Sequence, residues 1–501
     1  MNSSKSSPKR SDKSSSKASK AKLKHVSSFD LFYQLTYMSA MSAAGITRSK
    51  TFEIAAQSNS SAAQYFVAIN TLVDELRYDY PEACRAVGER AKSEEVKSFL
   101  LRLSDALRSG EPPADFLARE AKVQGDNYEN AYERDLESLK KWSDAFSSII
   151  VSVALIVIIN LVSTMIYDVG VGLIVGLVVT AVVMGFFGAW VLSRAAPQEK
   201  IIIDSQEGSA DQKGTVRLFK IIIPIAVISG LALVLFGVPM QYILIWSALL
   251  LLPVGLSSYK TDRKINKKEA EVSSFLRSIG GMATSTGTTL KGSLTKVDLS
   301  SFPTLEKDIE RLSTRLQALV SPAICWHRFG RESGSQLIKE SIDIFYEAVR
   351  LGGDPERVGF LCSLFASRTA LLRAKRRVVV ETFSWLTLVM HMTVAGLMVF
   401  VLEILHNFLA MMNSVIDPEQ AELAAASLAT PLANFSPGQL QVLDGMTIVM
   451  VILLAVVSAV AIIVSDGGYK YKMLFYLSAL LFMSGICFWA VPPVVAKILV
   501  V

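Results

Sequence analysis

The sequence predicts an all-α polytopic membrane protein in which two repeated cytoplasmic helical bundles are each followed by transmembrane helices. The 501-residue chain is 51% hydrophobic, which is too apolar for an ordinary soluble protein of this length. About seven apolar runs reach the roughly 20 residues that cross a bilayer. One pattern of apolar periodicity and glycine occurs twice, each time before such runs.

A shift of 242 positions defines the repeat, because it places Gly45 on Gly287 and Gly110 on Gly352. The same shift superposes further identical residues: Thr47 and Thr289, Gly88 and Gly330, Ser93 and Ser335, Lys97 and Lys339, Ala106 and Ala348, and Arg108 and Arg350. It also superposes two apolar stripes that each follow one face of an α-helix: Val96, Leu100, Leu103 and Leu107, and Ile338, Ile342, Phe345 and Val349. We predict a duplicated soluble module. The alternative is a chance alignment of two unrelated amphipathic helices.

The apolar runs and the charges around them give a membrane topology. We predict seven spans, near residues 146–167, 171–193, 219–237, 240–257, 380–405, 445–465 and 473–495. The tight link at Gly237 makes the third and fourth spans a hairpin, with one broken or re-entrant segment as the alternative. Segments rich in Lys and Arg stay cytoplasmic. We therefore expect the N-terminus inside and the C-terminus outside.

These boundaries divide the chain into five segments. Residues 1–27 are rich in Ser and Lys and are predicted to be a disordered basic tail. The other segments are a first helical module at 28–145, a region of about four spans at 146–257 with a cytoplasmic loop at 194–218, a second module at 258–378, and a region of about three spans at 379–501 with an extracytoplasmic loop at 406–444.

Both modules are predicted to be helical throughout and large enough to bury a small core. In the first, an apolar face runs from Leu31 to Met38 and ends at Gly45. Ser49 or Thr51 is expected to cap the next helix, since a hydroxyl at that position accepts a hydrogen bond from a free backbone N–H.

The sequence offers no recognisable catalytic site. It lacks the zinc-protease and nucleophilic-serine motifs, and the loop Gly287–Ser293 only superficially resembles a phosphate-binding loop, because Lys291 precedes Gly292 instead of following it. Cys325 and His327 are two ligands, which is too few for a metal site. We predict a protein that is not an enzyme and has no cofactor and no metal.

Polar residues within the predicted spans are the other place where chemistry could lie, because they mark ion or proton paths. They are Asn160, Glu381, His391 and Glu403. Hydrogen bonding between helices explains them equally well, and a transporter normally carries more charge at the midplane. A secondary transporter or channel using span five is kept as the alternative function.

Basic clusters lie directly beneath spans one and five, at corresponding points of the two halves. They are Lys140, Lys141, Arg373, Lys375, Arg376 and Arg377. Membrane topology by itself explains them. A functional interpretation adds a basic surface that contacts an acidic cytoplasmic partner.

Four stretches give the chain a family resemblance. The first half contains Phe32–Ile46, which ends in Met-Ser-Ala-Ala-Gly-Ile, and Ala106–Gly110. The second half contains Phe275–Ile279 running on to Gly287, and Ala348–Gly352. In these stretches and in its architecture the chain resembles the type II secretion system F family, the membrane platform proteins of type IV pili, type II secretion and archaeal flagella. The additional spans and the basic tail resemble the archaeal branch, the platform of the archaellum or of archaeal pili.

The resemblance implies a platform protein that is not an enzyme. Its modules would engage a hexameric secretion ATPase through the basic clusters, and its spans would guide pilin-like or archaellin-like subunits into a filament. The turn glycines Gly45, Gly110, Gly287 and Gly352 would be structural. We expect a multi-pass protein of the cytoplasmic membrane that contacts the lipid bilayer, forms a homo-oligomer such as a dimer and binds no nucleic acid. A receptor or scaffold without a filament partner is a further alternative. Charge reversal at Arg376 and Arg377 is expected to impair assembly but not membrane insertion.

Overall fold

The computed structural model describes residues 25–166, 171–203, 208–415 and 437–499. Within these ranges the chain is helical, and its only β pairing is an isolated antiparallel bridge between Ile202 and Ser335. Seven of the described helices are long and apolar enough to cross a membrane. The predicted fold class is therefore confirmed. Most of the predicted basic tail and the middle of the predicted 406–444 loop lie outside the described residues.

The first module begins with five helices that are joined by short turns. They are α1 (Ser28–Ala43), α2 (Arg48–Gln57), α3 (Ala63–Leu76), α4 (Tyr80–Glu89) and α5 (Glu94–Ser109). Four span helices follow: α6 (Pro113–Ile166), α7 (Val171–Ala195), α8 (Ala210–Leu235) and α9 (Met240–Thr286).

The second half continues from α9, whose C-terminal part takes the place that α1 has in the first module. The helices are α10 (Leu290–Leu294), α11 (Glu306–Gln317), α12 (Pro322–Glu332), α13 (Gln336–Arg350), α14 (Pro355–Val415), α15 (Pro437–Asp466) and α16 (Met473–Leu499). Two single 3-10 turns lie between them, at Leu299–Ser301 and Lys470–Lys472.

The helix boundaries reproduce the 242-residue repeat. Helices α2, α4, α5 and α6 begin at Arg48, Tyr80, Glu94 and Pro113, and their counterparts begin 242 positions later, at Leu290, Pro322, Gln336 and Pro355. The described chain has two residues other than glycine with positive φ, Arg77 (60°) and Leu319 (57°), and they are also 242 apart. This backbone conformation is unfavourable for residues with a Cβ. Its recurrence at equivalent positions, after α3 and after α11, indicates duplication and not chance alignment.

The helix caps repeat in the same way and correct one expectation. Thr47 Oγ1 accepts a hydrogen bond from Lys50 N, and Thr289 Oγ1 accepts one from Gly292 N, each at 3.4 Å. The prediction that Ser49 or Thr51 caps α2 was wrong. Both residues lie inside the helix, where Thr51 Oγ1 donates to the Thr47 carbonyl.

The described chain forms two compact units. The first contains residues up to Ala131, Ser274–Val297 and Ser341–Phe365. Its core buries the apolar faces predicted for α1 and α5: Leu31, Leu35, Met38, Val96, Leu100, Leu103 and Leu107. Phe365 from α14 packs against Phe32 of α1, with ring centroids 5.1 Å apart. Parts of both predicted modules therefore share this unit, and the predicted module boundaries stay a prediction.

The second unit contains Tyr132–Ser273, Asp298–Glu340 and Ala366–Val501. In it α15 packs against α7 and α16. The backbones approach closely at glycine: a Cβ on Gly255 would lie 2.6 Å from Phe475 Cα, and one on Gly485 would lie 2.6 Å from the side chain of Ile245. Small residues of this kind permit the close packing by which helices associate in membranes.

Candidate functional site

The structure divides the basic cluster of α14 between two environments. Arg373 and Arg376, about one helical turn apart, are each 2% exposed, whereas Lys375 is exposed and Arg377 is half-buried. Residues three apart share a helix face, and here that face is buried in the protein interior. This corrects the expectation that the whole cluster lies on the surface. The contact role stays a prediction for the members that remain accessible: Lys140, Lys141, Lys375 and Arg377.

Arg373 joins three parts of the second unit. Its Nη1 donates to Glu269 Oε1 of α9 at 2.6 Å, and its Nη2 donates to Glu199 Oε1 of the segment after α7, also at 2.6 Å. Ser335 Oγ donates to the same oxygen of Glu269 at 2.5 Å. Paired donors on a guanidinium give strong, directional bonds to carboxylates. The pairing compensates in part for the loss of water around these charges.

Arg376 binds backbone oxygens instead of carboxylates. Its Nε donates to the Ser465 carbonyl at 2.9 Å, and its Nη1 donates to the Pro197 carbonyl at 3.1 Å. The guanidinium lies against Gly467, which has φ 64°, and a Cβ there would fall 2.5 Å from Nη2. Glycine is required at this turn because a side chain would displace the arginine and because the φ is left-handed.

Lys472 provides a third buried contact, between the end of α15 and the middle of α9. Its Nζ lies 3.0 Å from Asp262 Oδ2 of α9 and 3.1 Å from Asp466 Oδ2 at the end of α15. Tyr469 N donates to the other oxygen of Asp262 at 3.4 Å. These bonds fix the turn between α15 and α16 to α9.

Seven residues with side chains at most 7% exposed thus form one group, which we call the ionic layer: Glu199, Asp262, Glu269, Arg373, Arg376, Asp466 and Lys472. Every cation in it has an oxygen partner, and the group connects α9, α14, α15 and the segment after α7. Such an arrangement can hold these helices in a fixed relation. Sequence reasoning overlooked the carboxylates, since their only signal is that they lie beside spans.

Two exposed ion pairs link α6 to α14 in the register of the repeat. Asp115 Oδ1 lies 3.4 Å from Arg357 Nη2, within the first unit. Glu133 Oε1 lies 2.5 Å from Lys375 Nζ, within the second unit. Both pairs join positions that are 242 residues apart. Helices α6 and α14, which begin the two halves of the membrane region, therefore meet through equivalent residues.

The four repeat glycines all have positive φ in the structure. The values are 72° for Gly45, 77° for Gly110, 57° for Gly287 and 98° for Gly352. A Cβ at any of the four would meet no atom within 4 Å. Backbone conformation and not space therefore requires glycine at these turns.

Two of the four polar residues predicted within the spans, His391 and Glu403, have hydrogen-bond partners in the described chain. His391 Nε2 and Ser484 Oγ are 2.9 Å apart, between α14 and α16. Asn407 Nδ2 donates to the Glu403 carbonyl one turn earlier on the same helix. Asn160 is buried, and Glu381 is exposed at the start of span five. Hydrogen bonding between helices accounts for His391, so this residue lends no support to an ion path.

The cysteine side chains lie in packed interior positions. Cys84, Cys325, Cys362 and Cys487 are free and buried. Burial raises the pKa of the Cys84 thiol to about 12, so that thiol is uncharged at neutral pH. Within the ranges that the structure covers, no three His, Cys, Asp or Glu side chains are grouped as a metal site requires.

Comparison with known proteins agrees with this architecture. The family profile of the type II secretion system (T2SS) protein F matches residues 35–161. Flagella accessory protein J of Methanocaldococcus jannaschii is 25% identical over 445 residues, which are 85% of this chain and 77% of the relative. Flagella accessory protein J of Methanococcus voltae is 22% identical over 435 residues, 83% of this chain and 76% of the relative. No solved structure matches the chain. The resemblance to the type II secretion system F family is thus confirmed, and the archaeal flagella accessory proteins J resemble this chain along most of its length.

Proposed function

We propose that this protein is the integral membrane platform of an archaellum-like or type IV pilus-like machine. The platform couples a hexameric cytoplasmic ATPase to the assembly of pilin-like or archaellin-like subunits. The name and the coverage of the archaeal relatives support this function. The protein acts in the cytoplasmic membrane with its N-terminus inside, as a homo-oligomer such as a dimer, and does not act on nucleic acid.

The continuity of three helices is the observation that carries the proposal. Helices α6, α9 and α14 have 54, 47 and 61 residues, and each contains both a polar segment and an apolar span. At about 1.5 Å per residue they are roughly 80, 70 and 90 Å long. A movement imposed on the polar part of an unbroken helix displaces its span directly, whereas a flexible loop would absorb it. The ionic layer ties α9 to α14, so these two helices move together.

Lys140, Lys141, Lys375 and Arg377 form the proposed contact surface for the ATPase. Lys140 and Lys141 are exposed on α6, two turns beyond Glu133. Exposed cations steer an acidic partner and add specificity at modest energetic cost. Because Arg376 is buried, reversing its charge would disrupt folding and would not report on a contact. The proposed contact is therefore tested by substitutions at Lys140 and Lys141.

An affinity pull-down of the tagged, full-length protein from gently solubilised membranes tests the function. We expect mass spectrometry to find a secretion ATPase and pilin-like subunits in the complex. Recovery of an intact oligomer without either partner would refute the platform function.

The variant pair Lys140→Glu/Lys141→Glu and Lys140→Arg/Lys141→Arg tests the surface. The charge-reversed protein should insert into the membrane normally but lose most of the ATPase, while the arginine protein should retain it. Equal recovery of ATPase with both variants would remove these lysines from the contact.

A further inference from the structure

A cavity of about 790 Å³ lies between α9, α14 and α16 in the second unit. Its volume is within the range of about 300–1,000 Å³ that is typical of small-ligand sites. The cavity shares Arg377 with the proposed ATPase-contact surface and shares Asp262 and Lys472 with the ionic layer, and its other lining residues belong to neither. Its lining is charged at one end and apolar at the other.

The charged end presents three cations: Arg263, Lys267 and Arg377. None of them forms a salt bridge with another described residue, in contrast to the fourth cation of the wall, Lys472, which is held by Asp262 and Asp466. Arg263 and Lys267 are exposed, and Arg377 is half-buried. Glu381 is a lone carboxylate beside them, so the free side chains carry a positive excess. Guanidinium and ammonium groups in such a cluster match a phosphate, and arginine binds it through two donors.

The apolar end is formed by Trp385, Leu388, Phe475, Ala479 and Met483. Trp385 is 68% exposed and three of the other four are only partly buried, so the cavity opens beside the predicted spans. Tyr259 and Tyr476 complete the wall between the two ends. Tyrosine and tryptophan are enriched where hydrocarbon meets headgroups.

The three helices change from charged to apolar residues at this cavity. On α14 the change runs from Arg377 to Leu388, and on α16 and the turn before it the change runs from Lys472 to Met483. On α9, which runs in the opposite sense, the cations follow the predicted span at 240–257. The cavity therefore crosses the level at which the spans of α14 and α16 begin and the span of α9 ends, and its polarity changes in the same direction as that of a membrane leaflet.

We infer that this cavity binds one anionic phospholipid. Its phosphate lies among Arg263, Lys267 and Arg377, and the first part of one hydrocarbon chain lies along Trp385, Leu388 and Met483. Basic pockets between transmembrane helices are suited to acidic lipid headgroups. A small soluble phosphate would leave the apolar half unfilled, and a neutral lipid would leave the cations without a counter-charge. The inference does not depend on which partner the protein has.

Lipid titration of the purified full-length protein in neutral detergent, followed by native mass spectrometry, tests the charged end. We expect one phosphatidylglycerol to bind at least about ten-fold more tightly than phosphatidylcholine. The variant Arg263→Gln/Lys267→Gln should lose this preference. The matched control is Lys260→Gln/Lys307→Gln, which removes the same charge from a neighbouring basic cavity; Arg263 and Lys267 also border that cavity, so the control decides which of the two holds the lipid. An equal loss in the control, or no loss in the cavity variant, would overturn the site, provided that circular dichroism shows both proteins to be folded.

The variant Ala479→Trp tests the apolar end, because it fills the hydrocarbon half and leaves all three cations in place. Phosphatidylglycerol binding should fall at least about ten-fold in this variant. Glycerol 3-phosphate, which has the phosphate without the chains, should fail to displace the lipid from the native protein at equimolar concentration. Unchanged lipid binding by Ala479→Trp, or displacement by glycerol 3-phosphate, would show an anion site without a lipid and overturn the inference.

Discussion

The ionic layer predicts a large loss of stability when Arg373 is replaced by Met. The substitution removes three hydrogen bonds, one to Glu269 at 2.6 Å and two to Glu199 at 2.6 and 3.1 Å. It leaves two carboxylates whose side chains are 0% and 3% exposed. Removing one partner of a buried ion pair costs about 3–5 kcal/mol, because the remaining charge is left without water and without its counter-charge. Ser335 Oγ still donates to Glu269 in the variant, which places this loss within that range and not above it.

Lys375→Met is the matched control, because it lies two residues further along the same helix. Lys375 pairs with Glu133, but the two side chains are 42% and 46% exposed. An exposed pair of this kind contributes at most about 1 kcal/mol. The contrast between the two variants therefore measures burial and not the loss of a positive charge.

Thermal unfolding in detergent, followed by tryptophan fluorescence, measures the difference. By the size scaling of unfolding entropy, a chain of 501 residues loses about 1 °C of Tm per kcal/mol. We expect a decrease of about 3–5 °C for Arg373→Met and of about 1 °C or less for Lys375→Met. The triple variant Glu199→Gln/Glu269→Gln/Arg373→Met should recover most of the loss, since it removes the buried charges together. Equal Tm values for the two single variants would refute the reasoning.

Two further predictions use backbone geometry and the same unfolding assay. Gly280→Ala should destabilise the protein by about 1–3 kcal/mol, because its Cβ would lie 2.4 Å from the Pro355 carbonyl oxygen. Gly281→Ala, where a Cβ meets no atom within 4 Å, should instead stabilise α9 by about 0.5–1 kcal/mol; a loss with both variants would contradict the close approach at Gly280. Leu319→Gly should raise stability by up to about 1 kcal/mol, since Leu319 has φ 57° and is 85% exposed. Gly110→Ala, at φ 77°, should lower it by about 1 kcal/mol, and a change of the same sign in these two variants would show that φ does not control stability at these turns.

Local patterns determined much of the fold. The seven spans follow from apolar runs of sufficient length, and the structure has a suitable helix at each of them. The repeat follows from a shift of 242 positions, and the structure repeats helix starts, caps and left-handed turns at that spacing. Hydrophobic length and periodicity are properties of consecutive residues. The same local reasoning gave the wrong N-cap for α2. Ser49 and Thr51 were the predicted caps, but the helix begins earlier and is capped by Thr47.

Which charges are buried could not be predicted in this way. Arg373 and Arg376 are as basic as Lys375 and Arg377 and share their segment, so the sequence placed all four on one surface. The structure buries the first two, because α9 and the segment after α7 bring Glu269, Glu199 and the Pro197 carbonyl to that face. These partners are 104 or more residues away in the chain.

The sequence by itself determined the class of protein, the spans, the duplication and the family resemblance. Each of these depends on hydrophobicity or periodicity within short windows, or on comparison of one window with another. Only the tertiary structure decided which basic residues are surface and which are interior, and that a cavity lined by three cations without a salt bridge opens between α9, α14 and α16. The physical reason is that the environment of a charge is set by residues from distant parts of the chain, and their approach is fixed by packing.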